Sequence, residues 1–279
     1  MIADFHTHIL PPSFKSRRTE IASKDATFAA LFATDDAKMA TSQDLIAAMD
    51  EDGVDVSVVL GYGWCDPDIG REANDYLLDA ADRHKGRIIP FCSVHPSWDD
   101  AALREIEHCV EGGARGIGEL HPSSQRINLA KDRHLPKIMA FAADKGLPVV
   151  VHGSEPVGHT YAGKGDTHPQ GLMALIERFP EVRIVGAHWG GGLPFYALMP
   201  EVKKALANTY FDSATSPFLY APEVYSTVAA AVGYERLLFG SDFPLVRASR
   251  VAEEAIATLN ATQAQAFLGG NAQELLGLT

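Results

Sequence analysis

Cysteine is scarce in this 279-residue chain: Cys65, Cys92 and Cys109 are odd in number and form no CxxC pair. That count excludes a disulfide framework and a cysteine zinc knuckle, and reduced thiols are expected. Cys92 falls in an expected strand, where a small buried thiol packs as an apolar group. Long apolar runs are also missing. Stretches such as 54–60 and 148–151 stop far short of the roughly 20 residues a membrane-spanning helix needs, so no membrane partner is expected. Positive charge is in deficit, with 24 Lys and Arg against 36 Asp and Glu and a formal net charge of -12. Phosphate contacts require a basic face, so nucleic acid is not an expected partner either. The opening Met-Ile-Ala-Asp-Phe-His has no basic stretch followed by an apolar one, which makes a secretory leader unexpected and the cytoplasm the expected location. No repeat, low-complexity tract or linker divides the chain, and a single domain over 1–279 is expected.

What the chain has is alternation. Hydrophobic residues at 46% and charged residues at 22% place it among ordinary globular proteins, which directs attention to pattern rather than bulk composition. Short β-rich runs occur at 2–8, 56–61, 88–94, 114–120, 148–152, 183–188, 207–211 and 237–242. Between them lie amphipathic segments with helix signals. One begins after Ser42, a candidate N-cap, and stops at Gly53; a second covers 71–85 and ends at Gly86. A third starts at Asp99 and Asp100, whose carboxylates suit the positive end of a helix dipole, and ends at Gly112 and Gly113. Further helices are expected at 131–145, closed by Gly146, and at 172–179, 251–259 and 262–276. Eight βα units imply parallel strands joined by right-handed crossovers, and on a chain of this size they favour closure into a (β/α)8 TIM barrel.

The histidines and carboxylates fall at the ends of those runs. His6 and His8 end the first, Glu119 the fourth, His152 the fifth, His188 the sixth and Asp242 the eighth. In such a barrel the C-terminal strand ends converge on one mouth, so six ligand-type side chains meet there. His6 and His8 are two apart on a strand and project to the same side, able to grip one ion together. Imidazole and carboxylate are ligands of divalent metals, and a catalytic site leaves one position open for water. Asp242 can then serve as ligand and as base. His84, His95, His108, His121, His134, His159 and His168 lack this regularity, and His84, His108 and His134 are expected on solvated helix faces.

The runs Asp4-Phe5-His6-Thr7-His8, Val151-His152-Gly153, Ala187-His188-Trp189-Gly190-Gly191 and Gly240-Ser241-Asp242-Phe243-Pro244 together resemble the amidohydrolase superfamily. Within it the chain is similar to the amidohydrolase-related branch of aminocarboxymuconate-semialdehyde decarboxylase, γ-resorcylate decarboxylase and the pyrone-dicarboxylate lactonases. The resemblance covers essentially the whole chain, and its motifs specify the superfamily far better than the reaction. It implies that His6, His8, His152 and Asp242 hold a divalent metal, usually zinc. It gives His188 one of two roles, orienting or protonating substrate beside a single ion or binding a second one. Glu119 departs from the branch and resembles the bridging glutamate of TatD-type deoxyribonucleases; the alternative is a hydrogen bond to a ligand histidine or to substrate. One ion or two is left open, and a homodimer is expected from the resemblance alone.

Three functions follow as expectations. The leading one is hydrolysis of a small ester, lactone or amide by metal-activated water, with Asp242 taking its proton and His188 stabilising the oxyanion. The second is non-oxidative decarboxylation of an aromatic or unsaturated acid, with Asp242 or His188 supplying a proton to carbon. The third, a metal-stabilised binding protein, fits poorly with an intact Asp242. Substrate contacts are expected from the loops after the strands. The loop after His152 interleaves Glu155, His159, Tyr161, Lys164 and His168 with glycines, a composition suited to a lid, and Lys164 suits an anionic substrate. His121, Gln125 and Arg247 are further candidates, and Trp189 is a candidate apolar wall.

Overall fold

The computed structural model describes residues 1–278. Eight strands occur where the alternation placed them: Ala3–Thr7 (β1), Val56–Val59 (β2), Ile88–Pro90 (β3), Ile117–Leu120 (β4), Val149–Val151 (β5), Ile184–Gly186 (β6), Thr209–Asp212 (β7) and Leu237–Leu238 (β8). All pair in parallel with their sequence neighbours, β1 to β3 in one ladder and β4 to β8 in another. A parallel bridge between Cys92 and Ile117 joins β3 to β4, and one between Thr7 and Phe243 joins β1 to the chain beyond β8. Main-chain bonds from Phe5 N to Phe239 O (2.6 Å) and from Asp242 N to His6 O (2.8 Å) complete the closure. The fold is a (β/α)8 barrel.

Inside the barrel Ala3, Phe5, Val58, Leu60, Phe91, Val150, Val185 and Leu238 pack into one buried cluster. Ala272, Leu275 and Leu276 of the last helix, Asn271–Leu276, join it where Arg115 and Arg183 bond the carbonyls of Leu276 and Leu275. The alternate strand residues Val149, Val151, Ile184, Leu237 and Phe239 face outward into the layer shared with the helices. Each such fully buried side chain contributes about 1.5–3 kcal/mol.

The strands are shorter than the apolar runs, because the run ends turn out of the ladder to form the mouth. The helix expected after Ser42 is capped one residue earlier: Thr41 and Asp44 form a reciprocal capping box, and Ser42 is the first helical residue. The helix expected at 71–85 spans Pro67–Arg83, with Asp66 as N-cap and Pro67 in the first turn. The stretch 262–276 is broken by a π-helical turn at Ala266–Gly270. Three short helices after β1, Pro12–Ser16, Arg18–Lys24 and Ala26–Phe32, were not legible in the sequence. They carry Phe14, Ile21, Phe28 and Phe32 onto Tyr62 and Trp64, building a second small core over one side of the mouth. Among the described residues no helix is long and apolar enough to cross a membrane.

Candidate metal centre and substrate cavity

Two strand irregularities aim the ligand-type side chains. Phe5 points into the barrel, so a regular β1 would send His6 and His8 outward; a register shift between Asp4 and Thr7 turns both into the mouth. In β4, Ile117 and Leu120 both face the outer layer, and the shift between them turns Glu119 inward. Gly118 makes this possible with φ +134°, where a Cβ would meet the Val150 carbonyl oxygen at 2.6 Å. His188 and Asp242 both adopt left-handed backbone, φ 54° and 66°, a conformation that costs a non-glycine residue about 1–3 kcal/mol and clusters at functional sites. Contacts hold them there: His188 N–H donates to Asp212 Oδ1 (3.0 Å) and Asp242 N–H to His6 O.

Hydrogen bonds also set the imidazole tautomers. Each Nδ1–H has an acceptor: Asp212 Oδ2 at 2.8 Å for His6, Leu60 O at 3.0 Å for His8, and Ala214 O at 3.1 Å and Thr215 Oγ1 at 3.0 Å for His188. The Nε2 atoms are left to face the centre. Those of His6 and His8 lie 3.0 Å apart. Glu119 Oε2 is 3.7 and 3.6 Å from them, and Asp242 Oδ1 is 3.7 and 3.5 Å away. Ligands about 2.0–2.2 Å from one tetrahedral ion lie roughly 3–3.8 Å from each other, and His6, His8 and Glu119 form one group of donors that could hold an ion, His6, His188 and Asp242 a second. The other oxygen of Glu119, Oε1, is 2.9 Å from His152 Nδ1 and 3.5 Å from His188 Nε2. Nε2 of His152 is buried without a partner. All six expected metal residues are thus gathered, with Glu119 at their centre.

Charge supports the same fit. Asp212, Glu119 and Asp242 are three buried carboxylates with no lysine or arginine paired to them among the described residues, and buried charge needs compensation. In the metal-free protein protons on histidine supply it. Burial pulls His6 down, but the charges of Asp212 and Glu119 push it up to about 10. Burial likewise opposes His188, while its bond to Glu119 and the charge of Asp242 raise it to about 9. Burial and the neighbouring His6 hold His8 well below the usual range, and burial with His121 brings His152 down to about 4. Glu119 resists burial and stays well below the carboxylate range, held by His121, His152 and His6, whereas burial raises Asp242. A divalent cation at the Nε2 atoms would supply the same two positive charges that these protons provide, and the donor set fits one.

Above the cluster opens a cavity of about 700 Å³, floored by His8, Glu119, His121, His152, His188 and Asp242. Leu31, Phe32, Tyr62, Tyr161, Phe218 and Leu219 wall it. Of the expected substrate contacts, His121, His159 and Tyr161 line this space. His121 also stacks on His152 at 4.5 Å and donates from Nε2 to Glu119 Oε2 at 3.0 Å.

Five expected contacts lie elsewhere. Glu155 spends both oxygens on tyrosines, accepting from Tyr161 at 3.1 Å and Tyr220 at 2.9 Å. Lys164 caps the carbonyls of Val157 and His159 and so braces its own loop. Trp189 is wholly buried and donates to Ser216 Oγ at 2.6 Å. Arg247 pairs with Glu51 and Asp52 on the outer surface. Gln125 braces the loops by accepting from His121 N–H and donating to the carbonyls of Trp64 and Val94. Three residues at the site escaped sequence reasoning: Asp212, Thr215 and Tyr62. Asp212 obeys the strand-end rule but lies one residue past the expected end of the seventh run.

Comparison with known proteins agrees with this architecture. Residues 3–278 match the family described as Amidohydrolase. The 2-amino-3-carboxymuconate-6-semialdehyde decarboxylase of Dictyostelium discoideum is 23% identical over 340 residues, covering 99% of this chain and 91% of the relative. The γ-resorcylate decarboxylase of Rhizobium radiobacter is 24% identical over 217 residues, covering 63% and 66%. The solved 5-carboxyvanillate decarboxylase of Novosphingobium aromaticivorans, complexed with manganese and 4-hydroxy-3-methoxy-5-nitrobenzoic acid, shares the fold with a TM-score of 0.80, 17% identity and coverage of 100% and 96%. These relatives correct the leading expectation of a hydrolase: their named reactions are decarboxylations, the second of the expected functions. The reason is chemical, since histidines and carboxylates gathered at one barrel mouth define the metal centre and leave the bond to be broken unspecified. Matched to that family over nearly its full length, the chain belongs to the amidohydrolase family, in its aminocarboxymuconate-semialdehyde decarboxylase-like branch.

Proposed function

We propose that this chain is a metal-dependent, non-oxidative decarboxylase of a small aromatic or unsaturated carboxylic acid. The observation that carries the proposal is a buried donor set at ligand spacing beneath an aromatic-walled cavity large enough for such an acid. The decarboxylase relatives narrow the reaction. His6 and His8 through Nε2, with Glu119 and Asp242, would hold a divalent cation, zinc or manganese, and His152 and His188 stand on the far side of Glu119, where a second ion would sit if the centre takes two. When bound, the cation supplies Lewis acidity toward the substrate carboxylate and an adjacent oxygen.

The chain's own residues do the rest. The bond between the carboxylate and its carbon breaks, carbon dioxide leaves, and a proton takes its place on that carbon. His188 would give that proton, a role supported by its Nδ1 being anchored on Ala214 and Thr215 while its Nε2 faces the centre beside Glu119. Asp242 stays with the cation. The aromatic walls and the 155–168 loop, held by the two tyrosines on Glu155, keep water from the departing group. The test is to offer the metal-loaded protein 2,6-dihydroxybenzoate, 5-carboxyvanillate and 2-amino-3-carboxymuconate 6-semialdehyde, the acids of the relatives, and to follow their absorbance. Loss of at least one with release of carbon dioxide is expected; three unchanged spectra would reject the proposal.

A further inference from the structure

The cavity holds a polar group that neither the metal centre nor the proton donor uses. Tyr62 lies just past β2 in Leu60-Gly61-Tyr62-Gly63-Trp64, pressed into place by its flanking glycines. A Cβ on Gly61 would meet Ser93 Cβ at 2.6 Å, and one on Gly63 would meet His121 N at 2.6 Å. The Tyr62 carbonyl accepts from Trp64 N–H at 2.7 Å and from the Ser93 hydroxyl. Its ring is fixed as firmly as its backbone. It stacks on His8 at 4.1 Å and 16°, meets Phe32 edge-on at 5.1 Å, and touches Trp64 at 5.3 Å.

Tyr62 is only 9% exposed, yet it lines the cavity, and no described residue bonds its hydroxyl. Phenylalanine would make all of these ring contacts. The hydroxyl opens on the cavity, so ring packing does not account for the oxygen, and its hydrogen bond is left for whatever fills that space. Several other polar side chains lining the cavity are engaged: Tyr161 donates to Glu155, Thr215 to Ala214 O, and Lys38 to the carbonyls of Pro244 and Leu245. The Tyr62 ring lies against His8, one of the residues flooring the cavity.

We propose that Tyr62 is a specificity-determining residue whose hydroxyl donates a hydrogen bond to an oxygen substituent of the substrate next to the carboxylate that is lost. The assignment rests on the decarboxylase reading above for the identity of the substrate as an acid. With the ring flat against His8, the donor lies beside the metal centre, where it would meet an oxygen on the carbon adjacent to a carboxylate held by that centre. A neutral, rigid donor of this kind favours acids carrying that oxygen over acids lacking it.

The experiment compares Tyr62→Phe with wild type, both loaded with manganese, using 2-hydroxybenzoate and benzoate as probes in titration calorimetry. The ratio of the two dissociation constants cancels the cation's own preference when the two proteins are compared. Expected is a ratio about tenfold smaller in Tyr62→Phe, with benzoate affinity and metal content unchanged. An unchanged ratio, equal weakening of both probes, no binding of either probe, or loss of metal from the variant would overturn it. If the ratio falls but no acid is decarboxylated, the reaction fails and Tyr62 keeps its role. If decarboxylation occurs and the ratio does not move, the reverse holds.

Discussion

Asp212 gives the sharpest test of the metal centre, because two substitutions there separate coordination from folding. Its carboxylate is fully buried, with Oδ2 accepting from His6 Nδ1–H at 2.8 Å and Oδ1 accepting from the N–H groups of His188 (3.0 Å) and Ala214 (3.1 Å). In Asp212→Asn the amide oxygen can keep both main-chain donors, and the amide nitrogen then faces His6 Nδ1. Two N–H groups cannot share that contact, so the His6 proton moves to Nε2, the atom meant for the cation. Loss of a partner that orients a ligand histidine typically lowers metal affinity 10–100-fold, about 1.4–2.8 kcal/mol. The upper end is expected here, because asparagine favours the wrong tautomer instead of merely removing the right one. Asp212→Ala should weaken metal binding less, yet it leaves two buried N–H groups unpaired at about 1–3 kcal/mol each, lowering the stability of the metal-free fold. Chelator competition gives the affinity and denaturant unfolding the stability. Asparagine with wild-type metal affinity, or alanine with wild-type stability, would refute the reasoning.

Other substitutions test the chemistry above the metal. His188→Gln should lower kcat by about 10²–10⁴-fold while the His6 and His8 end keeps its cation; a loss under tenfold in the folded, metal-loaded variant would remove His188 as proton donor. Metal loading should release protons, since in the metal-free protein Asp212 and Glu119 overcome burial to raise His6 to about 10, and Glu119 and Asp242 raise His188 to about 9. Calorimetry at pH 7 in buffers of different ionisation heat should report roughly one to two protons released per ion, with affinity weakening as the pH falls and the release fading above pH 10. Heats independent of buffer would contradict this. Glu155→Ala frees Tyr161 and Tyr220 together, and proteolysis within 157–163 should speed up roughly tenfold while the barrel keeps its melting temperature. Unchanged cleavage would mean that the loop is held by other contacts.

The barrel, and the meeting of six ligand-type residues at its mouth, were legible because both follow from short-range rules. Short β-rich runs alternating with amphipathic segments mark the strands, and His6, His8, Glu119, His152, His188 and Asp242 stand at their ends, where barrel geometry gathers them. Asp212 missed recognition because a strand boundary moved by one residue. Glu155, Lys164, Trp189 and Arg247 went astray for a different reason: composition marks a loop as polar but does not say which way a side chain turns. That direction is set by distant partners, as Tyr220 does for Glu155 and Asp52 for Arg247. Tyr62 and the helices from Pro12 to Phe32 were unreadable because their apolar residues are spaced for packing on each other across the mouth, without the long period that marks a barrel helix. The reaction escaped the motifs altogether, since one donor set serves several chemistries.

The most direct measurement is carbon dioxide release in deuterated water, from the acids of the decarboxylase relatives, by metal-loaded and chelator-stripped protein side by side. Expected are one carbon dioxide per acid consumed, one deuterium on the vacated carbon, and loss of both after stripping with recovery on reloading. Absence of carbon dioxide from every acid, or release that continues unchanged without metal, would contradict it.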